Sequence, residues 1–219
     1  MTPFEEASQI VAWLLALLEV SAALYILMLN VRHPANRHIG ALLLIFAVNG
    51  FAVGQLLGAH DAETARMPAI HLAVAAPAIA PSQLVTMLIL LKPDWLRRGK
   101  RWLKWLLYLA AVLPLLLVLR DLFLGTELVY SGVDPLVYTE GFISLDAYLD
   151  GKIGGLIRLI YMSILHSLQL LVLFYISFED QEISQSRRVL ARILLAMTIT
   201  VAAVMFSGQW LMPMELGLL

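Results

Sequence analysis

The sequence predicts an all-α protein, a polytopic transmembrane bundle of about six helices. Of its 219 residues, 61% are hydrophobic and 14% are charged, and the mean hydropathy is +0.84. A soluble domain is closer to half apolar and a quarter charged. The apolar residues also fall in blocks of about 20, the helix length that crosses a hydrocarbon core of roughly 30 Å. Basic and acidic connections alternate along the chain, as they do when successive spans cross in opposite directions.

The apolar blocks are treated as one membrane domain over residues 1–219. The predicted spans are Ser8–Val31, His38–Leu57, Pro68–Leu91, Trp102–Leu119, Ile153–Phe178 and Val189–Met212. The first block follows Glu5 and Glu6, whereas a secretory signal peptide begins with basic residues and has a shorter apolar stretch. We therefore interpret this block as a retained span.

The distribution of charge predicts the orientation. Loops 31–37, 92–104 and 179–192 carry 11 of the 15 basic residues, and the opposite side carries 11 of the 16 acidic residues. Because Lys and Arg collect in cytoplasmic loops, we expect the N-terminus outside and these loops inside. The expected location is the bacterial cytoplasmic (inner) membrane, which the chain crosses several times.

The longest connection, residues 125–152, falls on the outer side. It mixes acids and glycines with Pro135 and with four aromatic residues, Tyr130, Tyr138, Phe142 and Tyr148. Aromatic side chains settle at membrane interfaces. This composition predicts an ordered interfacial cap.

Gly50, Gly54 and Gly58 form a double G-x-x-x-G pattern in the second span. Glycine at every fourth position lets a neighbouring helix approach closely. The third span is rich in alanine, so we expect these faces to pack spans two and three together, or to bind a homodimer partner or other membrane subunits. The role is interpreted as structural.

Prolines occur inside two spans. Pro77 and Pro81 are in the third span, and Pro114 is in the fourth. Each removes a backbone hydrogen bond and favours a kink, so the prolines are predicted to interrupt these helices.

Glu19 lies in the middle of the first span, where a charge costs about 2.5–3.5 kcal/mol on insertion scales. It must be protonated, paired or facing a wet interior. The predicted intramembrane polar cluster comprises Glu19, Asn49, Gln83, Arg158 and His166. The cluster is interpreted equally as a ligand pocket or proton-sensitive switch and as a clamp that fixes helix register.

His166 lies near the middle of the fifth span. We favour a hydrogen-bonded core histidine over a haem or chlorophyll ligand, because the other histidines do not match it in depth. No clustered carboxylates suggest a metal site, so no cofactor or metal is expected.

A basic segment at residues 92–104 carries two tryptophans and directly adjoins two spans. Basic and aromatic residues together also suit nucleic acid, but this position favours anionic headgroups, at about 1 kcal/mol per charge near the surface. Membrane lipids are therefore the expected partner, and nucleic acid is not. The headgroup-binding residues are predicted to be Arg97, Arg98, Lys100, Arg101 and Lys104.

The sequence has no cysteine, which excludes thiol catalysis and disulfides. It contains no H-E-x-x-H, G-x-S-x-G, P-loop or G-x-G-x-x-G pattern. We therefore expect no enzymatic activity.

The segment Asn30-Val-Arg-His-Pro-Ala-Asn-Arg37, followed by a span that contains Asn49-Gly50-Phe51, resembles the N-terminal seven-span membrane sensor region of bacterial histidine kinases. The proline-containing segment Ala76-Pro77-Ala-Ile-Ala-Pro81-Ser-Gln83 and the basic loop after it also resemble that region. The resemblance implies a sensory input module whose seventh span would lead into a cytoplasmic output domain. That seventh span is absent here, and Met214–Leu219 is expected to re-enter the membrane.

The predicted function is thus a non-catalytic sensory input module for signal transduction. The alternative is a structural or accessory subunit of a larger membrane complex, respiratory or photosynthetic. A transporter half is a third possibility, for which no inverted repeat is visible.

Overall fold

A computed structural model describes residues 3–59, 61–96, 101–131, 151–180 and 183–199. Within these ranges the chain forms helices, turns and loops and contains no strand. The helices are α1 (Pro3–Asn30), α2 (Pro34–Leu57), α3 (Ala62–Leu91), α4 (Arg101–Leu124), α5 (Gly154–Glu179) and α6 (residues 185–199). A short 3-10 turn, Pro93–Leu96, follows α3. The predicted all-α fold is confirmed for these residues.

Five of the helices, α1 to α5, are long and apolar enough to cross a membrane. They coincide with the first five predicted spans. α6 covers the beginning of the sixth predicted span, and residues 200–212 lie outside the described residues. The count of six spans therefore stays a prediction.

The helices extend a few residues beyond the predicted ends. α3 begins early because Asp61 caps it: the Asp61 carboxylate accepts a hydrogen bond from the Thr64 N–H at 2.7 Å. Pro34 occupies the first turn of α2, where its missing N–H costs nothing. α4 continues to Leu124, five residues past the predicted Leu119, because its last turn binds the following loop.

α3 is the central helix of the bundle. In its most apolar window 67% of the residues are buried, against 11% in α1. α1 packs on α2, α2 on α3, and α3 on both α4 and α5. α6 joins through a cluster in which Met87 and Leu91 of α3 contact Ala191 and Leu195. The outermost helix, α1, therefore leaves most of its apolar surface uncovered.

The glycine face of α2 packs on α1, which corrects the expectation that it faces α3. A Cβ on Gly54 would clash with the Trp13 ring, and one on Gly58 would clash with Gln9. Glycine is needed at these positions because the Trp13 ring and the Gln9 side chain occupy the space that a Cβ would take. The opposite face of α2, with Ala52 and Leu56, packs instead against the alanines of α3.

Gly54→Ala is expected to lower the free energy of unfolding by about 1–3 kcal/mol, because an added methyl group must displace the Trp13 ring. Gly50→Ala is the matched control, since its Cβ would lie 3.6 Å from the Ala16 Cβ, an ordinary contact. Equilibrium unfolding in mixed micelles with SDS measures both. Equal losses in the two variants would contradict the predicted role of Trp13.

The helices are continuous through their prolines, and the predicted kinks stay a prediction. α3 runs unbroken through Pro68, Pro77 and Pro81, and α4 runs unbroken through Pro114. The central position of α3 explains its continuity, because packing on several sides holds the helix together where a backbone hydrogen bond is missing.

The described ends of the predicted cap, residues 125–131 and 151–152, form a folded loop. Gly125 takes a positive φ of 60°, and its N–H donates to the Asp121 carbonyl at 2.9 Å, as at a helix end closed by glycine. The Gly151 N–H then donates to the Val129 carbonyl at 3.0 Å. The middle of the cap, residues 132–150, lies outside the described residues.

Candidate functional site

The first candidate site joins α4 to α5 through a backbone carbonyl that Pro114 leaves without its helical partner. A proline at position i cannot donate to the carbonyl at i−4, here that of Ala110. The Tyr161 hydroxyl of α5 donates to this carbonyl at 2.8 Å. The Tyr161 side chain is only 3% exposed. The carbonyl that lacks a partner within α4 thus accepts a hydrogen bond from a side chain of α5.

Tyr161 lies in a π-helical turn, Leu159–Ile164, within α5. The His166 Nδ1 atom lies 2.9 Å from the Tyr161 carbonyl oxygen. A carbonyl only accepts, so Nδ1 is the donor. Tyr161 is thus held by two hydrogen bonds, one from His166 to its backbone carbonyl and one from its hydroxyl to the Ala110 carbonyl. We call this arrangement of His166, Tyr161 and Ala110 the α4–α5 joint. Single π-turns occur frequently at functional sites.

The described members of the predicted polar cluster lie on four helices, α1, α2, α3 and α5, and their assembly into one cluster stays a prediction. Glu19 lies beside α2, with its Oε2 atom 3.8 Å from the position a Cβ on Gly50 would take. His166 is on α5, and α1 has its packing interface with α2. Asn49 and Gln83 are partly buried on α2 and α3.

The pairing of Glu19 with Arg158 stays a prediction, because the Arg158 side chain lies outside the described residues. Sequence reasoning did not find Tyr161. Pro114 marks the carbonyl that needs a donor, but the donor comes from a position 51 residues away from Ala110 and only the fold reveals it.

A second candidate site is a crevice of about 130 Å³ between α2, α3 and α4. The His38 Nδ1–H donates to the Pro34 carbonyl at 2.6 Å. In the neutral ring the other nitrogen, Nε2, accepts the very short hydrogen bond from the Tyr108 hydroxyl. Ser82 and Thr86 also line the crevice. It presents hydroxyl groups and an imidazole on mostly apolar walls, which is the composition of a small-ligand site.

A third polar site ties the end of α3 to the end of α5. The Lys92 Nζ atom lies 2.5 Å from Asp180 Oδ2, and the side chains are 13% and 4% exposed. Trp95 lies under the Lys92 ammonium group, with 5.9 Å from Nζ to the ring centroid. The Arg188 guanidinium of α6 donates to the Asp180 carbonyl at 2.8 Å. Three helices thus meet around one buried ion pair.

Among the predicted headgroup-binding residues, Lys104 is the one whose side chain the structure describes. Its Nζ atom lies 5.4 Å from the centroid of the Tyr108 ring, beside the crevice. The side chains of Arg97, Arg98, Lys100 and Arg101 lie outside the described residues. Lys104, Lys92 and Arg188 share one end of the bundle, because the end of α3 contacts both the start of α4 and the start of α6.

No group of three or more His, Asp or Glu side chains that could hold a metal ion occurs in the part of the chain that the structure describes. The interpretation of His166 as a core histidine and not a haem or chlorophyll ligand stays a prediction.

Tyr161→Phe is expected to cost about 1–3 kcal/mol of unfolding free energy, because it leaves the partly buried Ala110 carbonyl without a donor. Pro114→Ala restores a backbone N–H four residues after Ala110. In that background Tyr161→Phe should cost only a few tenths of a kcal/mol, about the error of additivity. The double-mutant cycle is measured by unfolding in mixed micelles, and a cost unaffected by Pro114→Ala would refute the joint.

No family model, no curated protein and no solved structure matches this chain.

Proposed function

We propose that the chain is a non-catalytic sensory input module that crosses the bacterial cytoplasmic membrane several times, with its N-terminus outside. The observation that carries the proposal is the α4–α5 joint. In it a proline-freed carbonyl of α4 depends on one hydroxyl of α5, at a π-turn. The resemblance of the sequence to the membrane region of histidine kinases supports the same function.

The joint suits a switch because it has a discrete alternative. With the Tyr161 hydroxyl on the Ala110 carbonyl, α4 and α5 are held in one register. With the hydroxyl turned away, water or a rearranged turn must satisfy the carbonyl, and the helices can shift against each other. A signal acts on such a pair of states only through different affinities for them.

The crevice gives the signal a place to act. It lies between α2, α3 and α4, so that a bound molecule would contact the central helix and a helix of the joint. Its small volume of about 130 Å³ selects a compact ligand, and the His38–Tyr108 pair supplies both donor and acceptor capacity.

The proposal is tested by measuring α4–α5 distances with spin labels. The chain contains no cysteine, so Leu109→Cys and Leu168→Cys, both at exposed positions, can be labelled specifically. Electron–electron double resonance is recorded in nanodiscs while pH, lipid composition and small solutes are varied. Two distances whose populations change with conditions are expected, and Tyr161→Phe should favour one of them.

The control is a label pair across α1 and α2, Leu15→Cys and Leu44→Cys, which should give one constant distance. A single α4–α5 distance that no condition and no Tyr161 substitution alters would rule out the switch.

The alternative function, an accessory subunit of a larger membrane complex, is favoured by the surface of α1. Large apolar side chains such as Leu17, Leu18 and Met28 are more than 60% exposed there, and in a membrane they contact lipid or another subunit. Mild-detergent purification separates the two possibilities. Stoichiometric co-purification of pigment- or haem-bearing subunits would support the alternative.

A further inference from the structure

A cavity of about 370 Å³ lies at the start of α6 and is lined by Ile183, Gln185, Arg188, Val189 and Arg192. The two arginines are one helical turn apart and share a face of α6. Like charges at this spacing repel one another. An anion between the two guanidinium groups would therefore relieve their repulsion.

Both arginines are held in place by α5. Arg188 donates to the Asp180 carbonyl at 2.8 Å, and the Arg192 Nε–H donates to the Ser177 carbonyl at 3.3 Å. The Arg192 guanidinium also lies 5.3 Å from the centroid of the Phe178 ring. These contacts fix the side chains and leave most of their N–H donors unused; Arg188 Nε is buried and has no acceptor among the described residues.

The positive charge of the two arginines is not neutralised within the described residues. Asp180, the nearest carboxylate along the chain that is buried, forms its ion pair with Lys92. Glu179 is exposed, and no ion pair joins a described carboxylate to Arg188 or Arg192. Arg188 is half-buried and Arg192 is exposed, and two neighbouring positive charges attract an anion more strongly than one charge does.

We propose that this cavity binds the phosphodiester group of an anionic phospholipid. Guanidinium groups present parallel N–H donors that match two phosphate oxygens. Large apolar side chains adjoin the cavity on the exterior, with Phe178 at 56%, Val189 at 48% and Ile193 at 53% exposure. They supply a surface for acyl chains directly beside a site for the headgroup, which a soluble anion would not use. The site rests on the membrane location proposed above but not on the sensory role.

The test compares lipid affinity of the full chain in mixed micelles, titrated with phosphatidylglycerol against a phosphatidylcholine background and read by native mass spectrometry. The variant Arg188→Gln with Arg192→Gln should bind phosphatidylglycerol about 30-fold more weakly, at about fivefold for each charge near a membrane surface. The control removes two charges elsewhere, by Arg32→Gln with Arg187→Gln, at exposed positions that do not line the cavity. Its affinity should change less than about twofold.

Equal losses in the two double variants would overturn the proposal, because the attraction would then be a diffuse surface charge. So would full displacement of phosphatidylglycerol by inorganic phosphate, which would make the cavity a site for the soluble ion. If the glutamine variant does not fold, Arg188→Lys with Arg192→Lys keeps the charge and removes the parallel donors; it should bind several-fold more weakly, and wild-type affinity would refute the site. Release of the chain from membranes by alkaline carbonate would refute the membrane location instead.

Discussion

Lys92→Ala is expected to lower the free energy of unfolding by about 3–5 kcal/mol, the usual cost of removing one partner of a buried ion pair. The substitution leaves the Asp180 carboxylate, which is 4% exposed, without its counter-charge. It also removes the aliphatic stem that packs over Trp95. The end of α5 and the start of α6 should loosen first, because Arg188 is anchored on Asp180.

Equilibrium unfolding in mixed micelles, with hydrogen exchange of α5 and α6, measures the effect. Lys104→Ala is the matched control at the same end of the bundle. Lys104 is half-buried and lies over the Tyr108 ring, so its loss should be within about 1 kcal/mol, the usual value of a cation–π contact near the surface. Lys92→Met with Asp180→Leu should recover most of the loss, since an apolar pair avoids the cost of desolvating two charges. A loss below 1 kcal/mol for Lys92→Ala would contradict the importance of the pair.

The helices could be predicted from sequence because each depends on a local property, a block of about 20 apolar residues. Pairwise contacts were less predictable. The G-x-x-x-G face was predicted to be a close-packing surface, and its neighbour in the fold is α1, through Trp13 and Gln9. Residue spacing identifies the face of a helix that carries small residues. It does not identify the helix that packs against that face.

The polar residues show the same limit. Glu19 was predicted to join a polar cluster with residues of the second, third and fifth spans; it lies near Gly50 of α2, and the rest of the cluster stays a prediction. Lys92 and Asp180 were treated as loop residues, Lys92 after the third predicted span and Asp180 after the fifth. In the fold they form an ion pair. A charged residue in an apolar segment predicts that a partner exists. The choice of partner depends on the three-dimensional packing.

Substitution of Asp121 is expected to have the second large effect on the free energy of unfolding, because this one carboxylate holds the loop after α4 in place. Its Oδ1 atom accepts from the Thr126 hydroxyl at 2.5 Å and from the Leu128 N–H at 2.8 Å. Its Oδ2 atom accepts from the N–H groups of Val129 at 2.7 Å and Tyr130 at 3.0 Å. Burial also raises the pKa of the Tyr130 side chain above its ordinary value, because this part of the loop is enclosed.

Asp121→Ala is therefore expected to destabilise the fold by about 3–5 kcal/mol, since three backbone N–H groups lose their acceptors at about 1–3 kcal/mol each and partial hydration offsets some of the loss. Asp121→Asn keeps the shape but points an amide NH₂ at donors, so it should cost at least half as much. Thr126→Ala, which removes one hydrogen bond and leaves the backbone donors satisfied, should cost about 1 kcal/mol.

Unfolding in mixed micelles gives the three free energies, and hydrogen exchange at Val129 and Tyr130 locates the change. Since both residues pack in the cluster that includes Ile157 and Tyr161, a loosened loop should also expose the α4–α5 joint. Equal costs for the alanine variants of Asp121 and Thr126 would show that the carboxylate does not hold the loop.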